Sequence, residues 1–234
     1  MISASHSQLP ADARKTVVHE TFHGFVTDMI ATRLSVGTGA QGFLVEQDPN
    51  WVTPSHFHLE QQFQVVVAGE GSIGRHAARP FMVHYAAAET GYGPITAGPE
   101  GISYLTLRAM ADTGAWYLHK PGSRERMRPG LKREQAHASP GVEGGAPLEV
   151  LIAPRSDGLA AHLVRLADGA PIKLPAGACD GGRFYVLTRG TARAGDTLLE
   201  ALGIMFAAAD EVPAIIAGPE GADILVLQFP RAQA

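Results

Sequence analysis

The five residues Ala97-Gly98-Pro99-Glu100-Gly101 recur unchanged as Ala217-Gly218-Pro219-Glu220-Gly221. A pentapeptide centred on Gly-Pro reads as a tight turn. The residues after it are alike in both places, an alternating run with Leu105 and Leu107 in the first copy and Leu225 and Leu227 in the second. About the same separation relates Phe63-Gln64-Val65 and Gly69 to Phe184-Tyr185-Val186 and Gly190, and it sets Pro54 opposite Pro175. A unit recurring at a fixed period constrains a fold more than any single motif does. The chain is expected to hold two copies of one small domain.

The repeated unit reads as β. Ser72 to His76, Pro80 to Tyr85, Tyr92 to Thr96 and Ile102 to Arg108 are short apolar or alternating stretches broken by glycine and proline. A content of 27 Gly and 16 Pro suits many short strands joined by turns, as in an antiparallel barrel or jelly roll. Upstream, Thr16 to Val26 reads as a short extended segment, of the kind that can pack on a neighbouring sheet or a second subunit. Arg33-Leu34-Ser35-Val36 and Gly42-Phe43-Leu44-Val45 read as strands around a Gly37-Thr38-Gly39 turn. The expected division is an N-terminal extension over 1–32, a first barrel over 33–111, a linker over 112–147 and a second barrel over 148–234.

Composition removes several classes of function. A net charge of −4 gives no electrostatic case for nucleic acid or an anionic membrane. A single cysteine, Cys179, excludes an internal disulfide framework. No apolar run approaches the roughly 20 residues that span a bilayer, and the first residues lack the basic start and apolar stretch of a signal peptide. The expectation is a soluble, cytoplasmic protein that binds a small molecule. The linker carries Lys120, Arg124, Arg126, Arg128, Lys132 and Arg133 after Trp116-Tyr117. Those charges read either as an anion-binding or partner-docking strap or, with Glu125 and Glu134 diluting them, as a solvated linker.

Chemistry concentrates between Pro54 and Gly71. His56 and His58 stand at i and i+2, so on a strand both imidazoles project to one side, roughly 7 Å apart at the backbone. That presents two nitrogen ligands to one divalent ion. Beyond them Gln62 and Gln64 share one face of a strand, while Phe63, Val65 and Val67 take the other.

The run His56-Phe57-His58, three residues, Gln62, six residues, Gly69 resembles the first motif of the cupin superfamily, G-x5-H-x-H-x3,4-E-x6-G. Two positions depart from it: Gln62 stands for the acidic ligand, and Asn50 falls where the opening glycine would be. With the repeat, the resemblance implies an all-β chain of two tandem cupin-type double-stranded β-helix (jelly-roll) barrels, a bicupin. It also implies one first-row divalent metal (Fe, Ni, Mn or Zn) held by His56, His58 and Gln62. The family's third histidine would fall near Tyr92. His84, on the face shared by Met82 and Ala86, is the better substitute, and His76 a second. Gln64, Tyr92 and Phe63 are the candidate pocket residues.

In the second copy the register puts Gly177, Cys179 and Arg183 at the three ligand positions, which cannot assemble such a site. A neutral amide at Gln62 leaves two outcomes. Either the metal stays and favours an anionic substrate, or the barrel has lost it and keeps a polar pocket. Arg75, Arg79 and Arg108 read as carboxylate clamps or as surface arginines, and Glu60 as an acid or base or as a solvated turn residue. The resemblance implies a metal-dependent dioxygenase, isomerase or lyase acting on a small, anionic organic molecule. The competing reading is a non-catalytic binder or sensor-like module, and a homodimer is an expected assembly.

Overall fold

The computed structural model describes residues 1–31, 37–141, 145–174 and 179–232; the expected strand Arg33–Val36, and Pro175 and Gly177 of the register argument, lie outside them. The chain forms two compact units. One is Ala11–Ser139; the other joins Met1–Pro10 to Pro140–Ala234. The first strand, β1 (Ile2–Ala4), accordingly belongs to the second unit.

The first unit begins with the hairpin β2 (Arg14–His19) and β3 (Phe22–Ile30), followed by β4 (Gln41–Gln47). Next come the short β5 (Val52–Thr53) and β6 (His56–Phe57) and the long β7 (Gln62–Ile73). They are followed by β8 (His76–Ala78), β9 (Val83–Ala86) and the long β10 (Ile95–Arg108). Two further strands, β11 (Trp116–Tyr117) and β12 (Gln135–Ala138), close the unit. The main sheet runs β12-β9-β7-β10-β4-β3-β2, with β5 on β10 and β8 on β7, while β11 pairs with β6.

The framework is the antiparallel pair β7 and β10, which changes register between Ala97 and Ile102. The repeated Ala-Gly-Pro-Glu-Gly is therefore the irregular middle of one long strand, not the tight turn expected of it. Proline has no N–H to give to a ladder, so within a sheet it sits at such an interruption. Gly69 is fixed by the same crossing: it has φ +69, and a Cβ there would lie 2.3 Å from the Gly101 carbonyl oxygen. Its counterpart Gly190 meets Gly221 in the same way.

Residues 112–139, expected as most of a linker, fold onto the first unit. The cause is Glu89, buried on the barrel, which takes Arg128 Nε at 2.6 Å and the Arg128 backbone N–H at 2.5 Å. Arg133 also pairs with it. The charges that looked like a solvated run are thus partly spent on one buried carboxylate. Likewise 11–31 are no extension, because β2 and β3 continue the barrel's own sheet through β4.

The second unit repeats the plan with β13 (Leu148–Ile152), β14 (Ala160–Leu166), β15 (Arg183–Ala194), β16 (Thr197–Leu199), β17 (Ile204–Ala207) and β18 (Ile215–Gln228). Its order is β1-β17-β15-β18-β14-β13, with β16 on β15. Both units are antiparallel jelly-roll barrels. Each has its own interior cluster: Phe22, Phe43, Val45, Val66, Met82 and Tyr104 among others in the first, and Val164, Tyr185, Met205 and Val226 in the second.

Candidate ligand pocket of the first barrel

Strand parity decides what reaches the interior. On β10, Ile102 and Tyr104 belong to the interior cluster, so Thr106 and Arg108 face the same way. On β9 the flanking Met82 and Ala86 do the same for His84. A cavity of about 180 Å³ opens there, lined on its polar side by His56, His58, Gln64, Tyr92, Arg108 and Asp112. Phe22, Phe43, Val45, Tyr104 and Tyr117 line the rest.

The polar side chains form a directed chain. The Arg108 guanidinium, only 2% exposed, donates from Nε (3.1 Å) and Nη2 (2.8 Å) to Gln62 Oε1. Gln62 Nε2 donates to the Tyr92 hydroxyl at 2.6 Å. That hydroxyl can then give its proton only onward, to His56 Nε2 at 2.8 Å. The other His56 nitrogen, Nδ1, donates to the Pro54 carbonyl at 2.8 Å, which fixes the tautomer. Arg108 Nη1 donates to Gln41 at 2.6 Å.

His58 has two claims on one nitrogen. Its Nδ1 lies 2.7 Å from Asp112 Oδ2 and 3.0 Å from Arg108 Nη2. Nδ1 cannot donate to the carboxylate and accept from the guanidinium together, and both contacts are charge-assisted. The ring also bonds the Gly114 backbone, so the tautomer decides: with its proton on Nδ1 the ring donates to Asp112, and with Nδ1 unprotonated it accepts from Arg108 Nη2. Asp112 also accepts from the Thr113 backbone N–H at 2.7 Å.

Burial sets the protonation states. It lowers the His56 pKa to about 3, helped by His58, and that of His84 to about 3, helped by His137. Burial and the nearby Arg108 lower His58 to about 4, against the raising effect of Asp112. All three imidazoles are neutral at pH 7. Burial raises the Tyr92 hydroxyl, which stays protonated as the chain of donors requires. Burial raises Asp112 too, but the hydrogen bond and charge of His58 with the charge of Arg108 outweigh it, and its carboxyl lies below the ordinary value. Among the described residues no carboxylate comes within ion-pair distance of Arg108; its nearest counter-charge, Asp112, acts from behind His58.

The structure brings His56, His58, Gln62, Gln64, Tyr92 and His84 into one region. His84 Nδ1 lies 2.8 Å from Gln64 Oε1 and its Nε2 3.2 Å from Gln135 Oε1, and its ring meets Tyr92 edge-on at 5.0 Å. Phe63 is elsewhere: it packs on Tyr85 with centroids 5.1 Å apart, on the opposite face of the sheet from Gln62 and Gln64. His76 stacks on His137 at 3.7 Å, in a different cleft. Arg75 and Arg79 are exposed. Asp112, at the head of an expected linker, was not singled out by sequence, and of the three clamp candidates only Arg108 lies in this region.

The donor set as arranged does not fit a divalent cation. Of the expected ligands, Gln62 gives its oxygen to a guanidinium, and His58 lies against that same cation through its Nδ1. His56 Nε2 accepts from Tyr92. No group of three His, Cys, Asp or Glu side chains in coordinating arrangement exists among the described residues.

No protein-family model matches the sequence, and no curated protein matches it. Solved structures do match it in fold. A putative dioxygenase from Nostoc punctiforme is 12% identical, with 98% of this chain and 82% of that one covered at a TM-score of 0.65. An oxalate decarboxylase is 14% identical, with 100% and 78% covered at 0.64. Bacillus subtilis oxalate decarboxylase, a protein with Mn(II) centres, is 15% identical, with 100% and 78% covered at 0.62. The architecture of this chain is the cupin jelly-roll fold.

Proposed function

We propose that this chain is a bicupin whose first barrel binds a small organic monoanion without a metal, the anionic group on Arg108 and an apolar body against Phe22, Phe43, Val45 and Tyr104. The observation that carries this reading is the buried Arg108 guanidinium, which lines the cavity with no carboxylate in ion-pair contact among the described residues. An unpaired buried charge is costly, and an incoming carboxylate removes that cost. Nη1 donates to Gln41, Nη2 donates to Gln62 and lies 3.0 Å from His58 Nδ1, and none of these partners carries a negative charge. Those donors suit a planar carboxylate. At about 180 Å³ the cavity is below the roughly 300–1,000 Å³ of drug-sized sites, which favours a small acid over a nucleotide. His58, held by Asp112, and His56, held by Pro54, orient the ligand as fixed neutral groups.

A second reading, a metal-dependent dioxygenase, isomerase or lyase, is favoured by one feature: the His56 Nδ1–H bond to a carbonyl leaves an Nε2 lone pair toward the interior, the usual preparation of a metal-ligating imidazole. The solved relatives in fold agree with it. One experiment separates the two. Untagged protein, supplemented with Fe, Ni, Mn and Zn, is subjected to elemental analysis and then titrated calorimetrically with a panel of small carboxylic acids and their primary amides. We expect well under one metal per chain, binding of an acid but not of its amide, and loss of that binding in Arg108→Gln. Metal at one per chain that disappears in His56→Ala/His58→Ala, or equal binding of acid and amide, overturns the proposal.

A further inference from the structure

The second barrel lacks the histidine pair, yet its interior is not apolar throughout. In the first barrel Gln62 on β7 and Arg108 on β10 are bonded side chain to side chain. In the second, Arg183 on β15 lies opposite Gln228 on β18. The same two residue types occupy the equivalent rung, exchanged between strands. One rung inward Tyr185 pairs with Val226, and Val226 with His162. Tyr185 and Val226 belong to the interior cluster of this unit. Directly opposed residues share a face, so His162 points inward, and Arg183, two before Tyr185, does too.

Both polar groups are unfinished. His162 is 6% exposed, and its Nε2 is enclosed without a partner. Orphaned buried nitrogens are rare in native proteins because each forfeits its desolvation cost. Arg165, Arg189 and Arg231 of the same unit each meet a carboxylate. Arg183 meets none among the described residues; its contacts are Cys179 Sγ, 3.0 Å from Nε, and the Tyr185 side chain. The charge of Arg183 acts on His162, so the two lie within electrostatic reach.

We propose that the interior of the second barrel is a second anion site, taking a small carboxylate between the Arg183 guanidinium and His162 Nε2. The carboxylate would satisfy the orphaned nitrogen and neutralise the unpaired cation together, with Tyr185 and Val226 against its carbon chain. This does not depend on what the first barrel binds.

Cys179 is the only cysteine of the chain and reports on the site directly. Folded protein is alkylated with iodoacetate and, separately, with iodoacetamide, and the rate of each is followed by mass. In either reaction the sulfur–carbon bond forms as the carbon–iodine bond breaks, iodide leaves, and the thiol proton goes to solvent. Any effect of Arg183 on the thiol itself is common to both reagents, so their rate ratio isolates recognition of the carboxylate. We expect iodoacetate to be faster by about tenfold, the size of one charge-assisted hydrogen bond. Added acetate should slow it without slowing iodoacetamide. The ratio should fall to one or below in Arg183→Gln. It should also drop in His162→Phe, which installs the residue that the first barrel carries at the matching position, Phe43. An equal ratio in wild type, no protection by acetate, or no labelling of folded wild type by either reagent overturns the proposal. All three of these are read in wild type, so misfolding of Arg183→Gln does not shelter it.

Discussion

Lowering the pH from 7.5 to 5 should strip the first barrel of much of its stability while leaving its contacts formally intact. His56, His58 and His84 are held at pKa values of about 3, 4 and 3 in the folded chain, against 6.5 when exposed. Between those limits the unfolded chain binds protons that the folded chain refuses. The stabilisation from keeping them neutral is therefore fully present above pH 6.5 and is lost as pH falls below it. At pH 5 each histidine accounts for about 2 kcal/mol of that loss. The three together approach about 6 kcal/mol, comparable with the roughly 5–15 kcal/mol that holds a whole domain. Asp112 acts in the opposite part of the scale: its pKa is lowered, so its contribution persists until the pH drops below the ordinary aspartate value. In the window from 6.5 to 5 His137, lowered to about 4, adds to the three imidazoles, while Glu60, raised by burial, binds its proton more readily in the folded chain and acts the other way. Urea melts followed by tryptophan fluorescence isolate the effect, because Trp51 and Trp116 both lie in the first unit. His84→Gln should reduce the slope by about 1.4 kcal/mol per pH unit, one proton's worth. A urea midpoint that stays level from pH 7.5 to 5 would refute the reasoning.

Tyr92→Phe removes the hydroxyl shared by His56 Nε2 and Gln62 Nε2, leaving two buried groups unpaired. The expected loss is about 2–4 kcal/mol in urea melts at pH 7, and a change within 0.5 kcal/mol, on the order of surface-substitution noise, would contradict the hydrogen-bond chain. Gly69→Ala puts a methyl 2.3 Å from a backbone oxygen at φ +69, so the long strands must separate; a cost above about 2 kcal/mol is expected. Gly122→Ala, at φ +80 with open space around it, is the control and should cost distinctly less.

Periodicity and repeats made the barrels legible, because glycine turns and alternation are local signals. The same alternation, carried further, reaches the site: counting from Ile102 through Tyr104 and Thr106 puts Arg108 inside, and it separates Gln62 and Gln64 from Phe63. What local pattern could not carry was the partner of each inward group. Asp112 meets His58 across 54 positions of chain, and nothing near Asp112 marks it as buried. The basic residues after Lys120 misled for a related reason. Their carboxylate, Glu89, lies on the far side of a turn and is buried by strands that pair only in three dimensions. The pentapeptide repeat announced duplication correctly but not conformation, since Gly-Pro serves a bulge within a strand as readily as a turn.

The edge strand β1 has a consequence for how the chain assembles. It leaves the ribosome before every other strand of its sheet, yet its partner β17 lies some 200 positions later, with a whole barrel encoded between them. Until that union, the outer rim of β17 offers unmet amides to any matching segment, including the Ile2–Ala4 segment of a neighbouring molecule. At high concentration two chains could exchange these ends, and a bulky fusion placed ahead of Ile2 would slow the correct closure.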